Sequence, residues 1–139
     1  MKYSKDEIIA ACNTMCKNTL METLDIEFTE VTEDSITARM PVTPKVHQPD
    51  GVLHGGASVA LAESVGSAAA MVFNRGEKAQ IRGIEIAANH VKGVREGFVY
   101  AKATAEHKGR TTQLWQIRIT NSANELVSLV KLTILILRK

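Results

Sequence analysis

Apolar positions recur along this chain with two different periods, and the period changes mark its elements. Ile8, Cys12 and Met15 form a helical stripe behind Ser4-Lys5-Asp6-Glu7, a capping-box pattern, and predict a first helix from about Lys5 to about Leu20. Ile26 to Glu30 reads as a strand. Ser35 to Val42 reads as another, with Ile36, Ala38, Met40 and Val42 alternating with polar residues. Helical spacing returns from about Gly55 to Phe73. Beyond it the pattern is extended throughout. Ile84, Ile86 and Ala88 alternate in "GIEIAANHVK", and Val99, Ala101, Ala103 and Ala105 do so in "FVYAKATAEH". Trp115, Ile117 and Ile119 follow the turn "HKGRTT", and "LVSLVKLTILIL" is β-rich on both faces, as a strand covered on both sides would be.

The resulting order is α-β-β-α-β-β-β-β. With no crossover helices among the last four strands, a doubly wound parallel sheet is excluded and an α+β fold with one antiparallel sheet is expected. The central helix is apolar nearly all round, so a flat sheet would leave one side of it wet; a strongly curved sheet and a partner subunit solve this. Gly56, Ala60, Glu63, Ser67 and Ala70 are expected on its small and polar face, and Leu61, Val65, Ala68 and Val72 on its apolar one.

Composition narrows the function classes. The 139 residues are 45% hydrophobic and 23% charged, as in a globular protein, and no repeat or linker divides them, so one domain over 1–139 is expected. A net charge of +2 with interspersed signs gives no reason to expect nucleic acid. Cys12 and Cys16, four apart, fit a helix face and not a CxxC motif; reduced thiols and a cytoplasmic location are expected. "MKYSKDEIIAACNTMC" is acidic ahead of its short apolar stretch, unlike a signal peptide. Ala57–Phe73 is short for a membrane span, contains Glu63 and is rich in Ala and Ser, so a buried helix and no membrane partner are expected.

Candidate chemistry concentrates at the start of the central helix. Asp50-Gly51 signals a turn, and His54-Gly55-Gly56 leads into the helix. The first N–H groups of a helix lack internal acceptors and carry partial positive charge, and two glycines leave them open to a ligand. Gly55 N–H is the best placed donor. Glu63 returns to within about 80° of the direction of Gly55, with Ser67 one turn beyond it on the same face. Gln48 and His54 add an amide and an imidazole. Together these are the parts for acyl transfer to water. Each has a plainer reading: a solvated glutamate, a packing glycine pair, an N-cap histidine, a surface amide. The conjunction favours chemistry. No metal-ligand spacing and no G-x-S-x-G elbow is present.

The segment "QPDGVLHGGASVALAESVGS" resembles the active-site segment of hotdog-fold acyl-CoA thioesterases of the PaaI-like branch. The likeness extends to "DIEF", "GIEIAANHVK", "VREG" and "HKGRTTQLWQI", and is marked for the thioesterases of menaquinone synthesis and enterobactin proofreading. It implies a helix wrapped by a curved antiparallel sheet, a site between two subunits, a homodimer paired again into a tetramer, and no cofactor beyond the CoA of the substrate. By position it implies Glu63 as nucleophile or general base, Gly55 N–H as the group polarising the thioester carbonyl, and Gln48 and His54 as orienting groups. Ser67 would hold water or an acyl substituent. It implies that an acyl-CoA, or an acyl-carrier thioester, is met by Gly83, by His90, Val91, Lys92 and Gly93, and by His107, Lys108, Gly109, Arg110, Thr111 and Thr112. Lys92, Lys108 and Arg110 would face phosphates. Ala68 is small for its position in the branch, which leaves the acyl group open; an aromatic acyl-CoA is the expectation. Two rivals are a hotdog 3-hydroxyacyl thioester dehydratase, against which Gln48 and the His-Gly-Gly start resemble the thioesterase pattern, and a non-catalytic acyl-CoA sensor, against which the intact Glu63 and Gln48 argue.

Overall fold

The computed structural model describes residues 2–74 and 78–138. Its elements are helices α1 (Lys5–Met15), α2 (Leu20–Thr23) and α3 (Gly55–Val72), and strands β1 (Glu27–Val31), β2 (Ser35–Pro41), β3 (Ala79–His90), β4 (Phe98–Lys108), β5 (Thr112–Asn121) and β6 (Leu126–Arg138). A 3-10 turn, Pro44–Val46, precedes α3. All six strands join one antiparallel sheet in the order β1-β2-β4-β5-β6-β3.

The first helix begins as its sequence dictates. Glu7 N–H donates to Ser4 Oγ at 3.1 Å, and Ser4 N–H donates to Glu7 Oε2 at 2.7 Å. It stops at Met15, short of the expected Leu20, because Asn18 takes a left-handed conformation (φ 59°) and Thr19 caps the separate turn α2. The Asn13 amide latches α1 to β1, donating to Phe28 O at 3.0 Å and accepting from Phe28 N at 2.8 Å. Cys12 and Cys16 are free, buried thiols. Burial pushes both pKa values up, with a smaller push from Cys16 on Cys12 and from Glu22 on Cys16.

Helix α3 lies within the sheet and touches β2, β3, β4, β5 and β6. At 100° per residue its buried positions, Ser58, Leu61, Ala62, Val65, Gly66, Ala68, Ala69 and Ala70, span an arc of roughly 200°. A flat sheet covers less than that, so the sheet curves around the helix, as the hotdog expectation requires. α3 is long and apolar enough to cross a bilayer by length and composition, with a mean hydropathy of 1.2, but it is the core helix of this sheet. Gly56, Ala60, Glu63, Ser64, Ser67 and Met71 fall in the remaining arc. Ala70, expected among them, is buried instead, on the far side of Glu63.

The inward faces of the strands supply Phe28, Ile36, Met40, Trp115, Ile117, Ile119, Leu132 and Ile134, all under 2% exposed. Trp115 satisfies its indole N–H with the Gln113 side chain at 2.8 Å. β6 departs from expectation. It is interior to the sheet, yet its two faces differ: Ser128, Val130, Leu132, Ile134 and Ile136 are buried on the inward face, whereas on the outer face only Val127 is buried, Leu129, Thr133 and Leu135 are half-buried, and Lys131 and Leu137 are exposed.

The helix comes close to the sheet at Gly66. A Cβ there would lie 2.6 Å from Leu132 Cδ2 and 3.2 Å from Ile117 Cδ1, and both side chains are fully buried. Gly66→Val therefore overpacks this contact and lowers the unfolding free energy by about 1–3 kcal/mol, read as a lower urea midpoint. An unchanged midpoint would show that the helix can ride further from the sheet at no cost.

Candidate active site

The loop before α3 is built by its own backbone and side chains. His47 bridges Leu53, Gln48 N–H donates to Val52 O at 2.8 Å, and Gly51 (φ 77°) closes the turn by donating to Gln48 O at 3.0 Å. Asp50 N–H donates to Gln48 Oε1, and the Gln48 NH2 has no hydrogen-bond partner among the described residues. The following segment packs alongside: Leu53 N–H donates to Val94 O at 2.7 Å, and His47 Nε2 lies 2.8 Å from Arg95 O.

His54 is the N-cap of α3. Its Nδ1 accepts from Gly56 N–H at 2.8 Å, and its carbonyl accepts from Ala57 and Ser58 N–H at 3.0 and 3.2 Å. The first turn thus claims its own donors, apart from one. Among the described residues the Gly55 N–H has no acceptor. Beside it lies His90: a Cβ on Gly55 would sit 2.8 Å from His90 Nε2. The other ring nitrogen, Nδ1, is 2.6 Å from Ser128 Oγ, and Ser128 is fully buried. The Ser128 contact therefore sets which edge of His90 faces the helix start. Sequence reasoning missed Ser128, although a lone serine on the inward face of the most apolar strand is the same kind of signal that singled out Glu63.

Glu63 belongs to a different neighbourhood. Its carboxylate lies over β3, where a Cβ on Gly83 would be 2.6 Å from Glu63 Oε1. With Ser67 it borders an open cavity of about 630 Å³ whose other walls include Met15, Met21, Phe28, Met71 and Ile81. Eight residues of helix, about 12 Å of rise, separate it from Gly55. The turn 107–112 lies at the same end of the sheet: Ile136 N–H donates to Thr111 O at 2.8 Å, and Gly109 N–H donates to Thr112 O at 2.9 Å. The Lys108 ammonium sits 5.5 Å from the Phe73 ring centroid, and Phe73 is the C-cap of α3.

One chain therefore divides the expected site residues into two groups. Gln48, His54, Gly55, His90, Val91, Lys92 and Gly93 gather at the N-terminal end of α3. Glu63, Ser67, Gly83 and the turn from His107 through Gly109 and Arg110 to Thr112 gather toward the other end. Both groups reach the edge strand β3, at His90 and at Gly83. Of the expected phosphate-facing cations, Lys92 is already paired with Glu125 at 3.2 Å, while Lys108 and Arg110 are exposed. The carboxyl of Glu125 is held below its usual range by the Asn121 side chain first and by Lys92 second.

Comparison with known proteins places the chain. The Thioesterase superfamily model matches residues 50–128, from the turn before α3 into β6. The 1,4-dihydroxy-2-naphthoyl-CoA hydrolase of Escherichia coli (strain K12) is 40% identical over 137 residues, covering 99% of this chain and 100% of the relative. A crystal structure of a mutant thioesterase from Pseudomonas aeruginosa, with one glutamine changed to alanine, superposes with a TM-score of 0.90 at 40% identity, covering 93% of each chain. Two crystal structures of one Staphylococcus aureus protein have TM-scores of 0.80 and 0.78 at 36% and 34% identity, covering 84% and 85% of this chain and 97% and 98% of that one. One carries alanine for a glutamate and the other alanine for a glutamine fifteen positions earlier. This chain belongs to the thioesterase superfamily, with the hotdog fold, and is a thioester hydrolase.

Proposed function

We propose that the protein hydrolyses acyl-CoA thioesters, with aromatic acyl groups as the favoured class, at a site completed by two subunits. The observation that carries this reading is the division of the site along β3. β3 is a twelve-residue edge strand. Its outer edge is unpaired among the described residues, and Ile84, the extra residue of a bulge between Gly83 and Glu85, is 55% exposed. An unpaired edge of that length is a template for another strand. A two-fold axis near Ile86 would pair two copies of β3 antiparallel. Gly83 of one subunit would then lie opposite His90 of the partner subunit, and Glu63 would face the partner's Gly55.

In this arrangement the thioester carbonyl lies at the start of α3, its oxygen on Gly55 N–H, where charge develops as the tetrahedral intermediate forms. The free NH2 of Gln48 orients the thioester. The Glu63 carboxylate of the other subunit removes the proton from an attacking water, or attacks the carbonyl carbon itself; the C–S bond then breaks and the coenzyme thiolate departs, and in the second case water hydrolyses the resulting mixed anhydride to free the acid and Glu63. Gln48 and Glu63 are fifteen positions apart, the spacing of the glutamine and glutamate replaced in the S. aureus protein, which supports the pairing of these two residues. The cavity beside Glu63 supports an apolar acyl group: Phe28 offers an aromatic surface, and Met15, Met21 and Met71 offer polarisable, adaptable ones. The name of the E. coli relative supports an aromatic ring there. The buried, unpaired thiols Cys12 and Cys16 support a reducing, cytoplasmic setting.

Free-thiol release from a panel of aromatic and aliphatic acyl-CoAs tests the activity directly. Glu63→Gln should keep the fold and lose turnover by about 10²–10⁴, the range for a lost acid–base group; turnover near wild type would remove the central claim. Gly55→Ala should also lose turnover, by about 10²-fold or more, because the added methyl displaces His90 and crowds the carbonyl site, with circular dichroism unchanged. The third test concerns the subunits. After dissociation and reassociation, an equal mixture of Glu63→Gln and Gln48→Ala proteins should regain about a quarter of wild-type activity, since half the dimers are mixed and each has one intact site. Proven mixed dimers without activity would place both residues on one chain.

A further inference from the structure

Glu63 makes no hydrogen bond among the described residues, so its carboxylate is placed by what it packs against. What it packs against is a gap in β3. Side chains on the inward face of β3, Ile81 and Ile86 among them, fill the space between strand and helix, but position 83 has none. An added Cβ there would lie 2.6 Å from Glu63 Oε1, 3.5 Å from Glu63 Cδ and 3.4 Å from Leu132 Cδ1. The glycine is not demanded by the backbone. Gly83 is not among the residues of positive φ, it sits in a strand, and alanine is accepted in strands at least as well as glycine. Its missing side chain serves Glu63.

We propose that Gly83 is a positioning residue for Glu63: the bare strand at this point is the seat that holds the carboxylate at the height from which it reaches the thioester. The inference rests on the proposed role of Glu63 and adds a reason for that group's placement. It also gives Gly83 a role separate from contact with the coenzyme. The geometry specifies what a methyl group would do. Of the two neighbours it meets, the Leu132 contact is ordinary, while the Glu63 contact is closer than atoms allow. The carboxylate is the free end of a flexible side chain on the open arc of α3, so it moves and the fold stays. A displacement of about 1 Å at a reacting group costs up to about 10²-fold in rate.

Gly83→Ala should therefore keep its melting temperature and its affinity for a non-hydrolysable thioether analogue of the best acyl-CoA, while kcat falls by about 10- to 100-fold with KM nearly constant. In a Glu63→Asp background the side chain is one methylene shorter and withdraws from Gly83. There the same methyl should change kcat, measured in single turnovers at high enzyme concentration, by less than about threefold. Because both comparisons share any general effect of the methyl on folding, their ratio isolates the contact with Glu63. An unchanged kcat in Gly83→Ala, or equal losses in the two backgrounds, would overturn the proposal. So would a raised KM and weakened analogue binding at constant kcat, which would assign Gly83 to the coenzyme instead. If Glu63→Gln itself turns over normally, the reading of Glu63 fails whatever Gly83 does.

Discussion

A single helix buried over more than half its circumference governs this structure. Where the sheet comes closest, the helix has to be narrow, and Ala62, Gly66, Ala69 and Ala70 supply that narrowness; Leu61 and Val65 fill the wider gaps. The same requirement decides where polar groups can stand. A carboxylate on the wrapped arc would lose its hydration with no partner to replace it, at a cost of several kcal/mol. Only the narrow open arc tolerates one, and Glu63 stands at its border, next to β3. The carboxylate is thus confined to one strip of the helix by the way the core is packed.

Along that strip glycine is used for close approach twice. At Gly55 the helix start comes against the His90 ring, and at Gly83 the strand comes against the Glu63 carboxylate. In each case a side chain from one element lies on the bare Cα of another. The contacts run in opposite directions, strand to helix at one end and helix to strand at the other. The bulge at Ile84 falls between them on the same strand, where an extra residue bends and twists the chain. β3 is consequently the element on which core packing, the site and the free sheet edge meet.

Local pattern was enough to read most elements. The period change at Gly55, the alternation in β2, β4 and β5, and the capping box at Ser4 all reflect near-neighbour physics, and the structure agrees within a few residues. The exceptions have tertiary causes. α1 stops early because Asn18 can adopt a left-handed conformation, a choice that propensity permits but does not force. The outer face of β6 is covered only in part, with Val127 buried, Leu129 and Leu135 half-buried and Leu137 exposed. Glu63 was conspicuous as the one acid in an apolar run, and Gly55 as a glycine at a helix start. Their separation was not legible. Helical spacing alone brings Glu63 toward the flank of Gly55; it is the placement of β3 beside β6, at the far edge of the sheet, that gives each a different neighbour. No periodicity encodes which strand occupies an edge.

The distribution of charge bears on the proposed dimer in a way that neither group of residues does alone. Lys92 belongs to the group at the start of α3, whereas Lys108 and Arg110 belong to the turn at the opposite end of the sheet. Pairing β3 about a two-fold near Ile86 would bring the start-of-helix group of one subunit to the turn of its partner, so cations from both ends would converge on one pantetheine arm and its phosphates. Lys92 would have to exchange its partner to take part. Its pair with Glu125 is largely solvent-exposed, with 43% and 54% of the two side chains accessible, and such pairs contribute little to stability. A phosphate carries more charge than a carboxylate and accepts hydrogen bonds on several oxygens. The exchange would therefore cost the fold little, and Glu125 would still have its 3.1 Å hydrogen bond from Asn121 if Lys92 turned to the coenzyme.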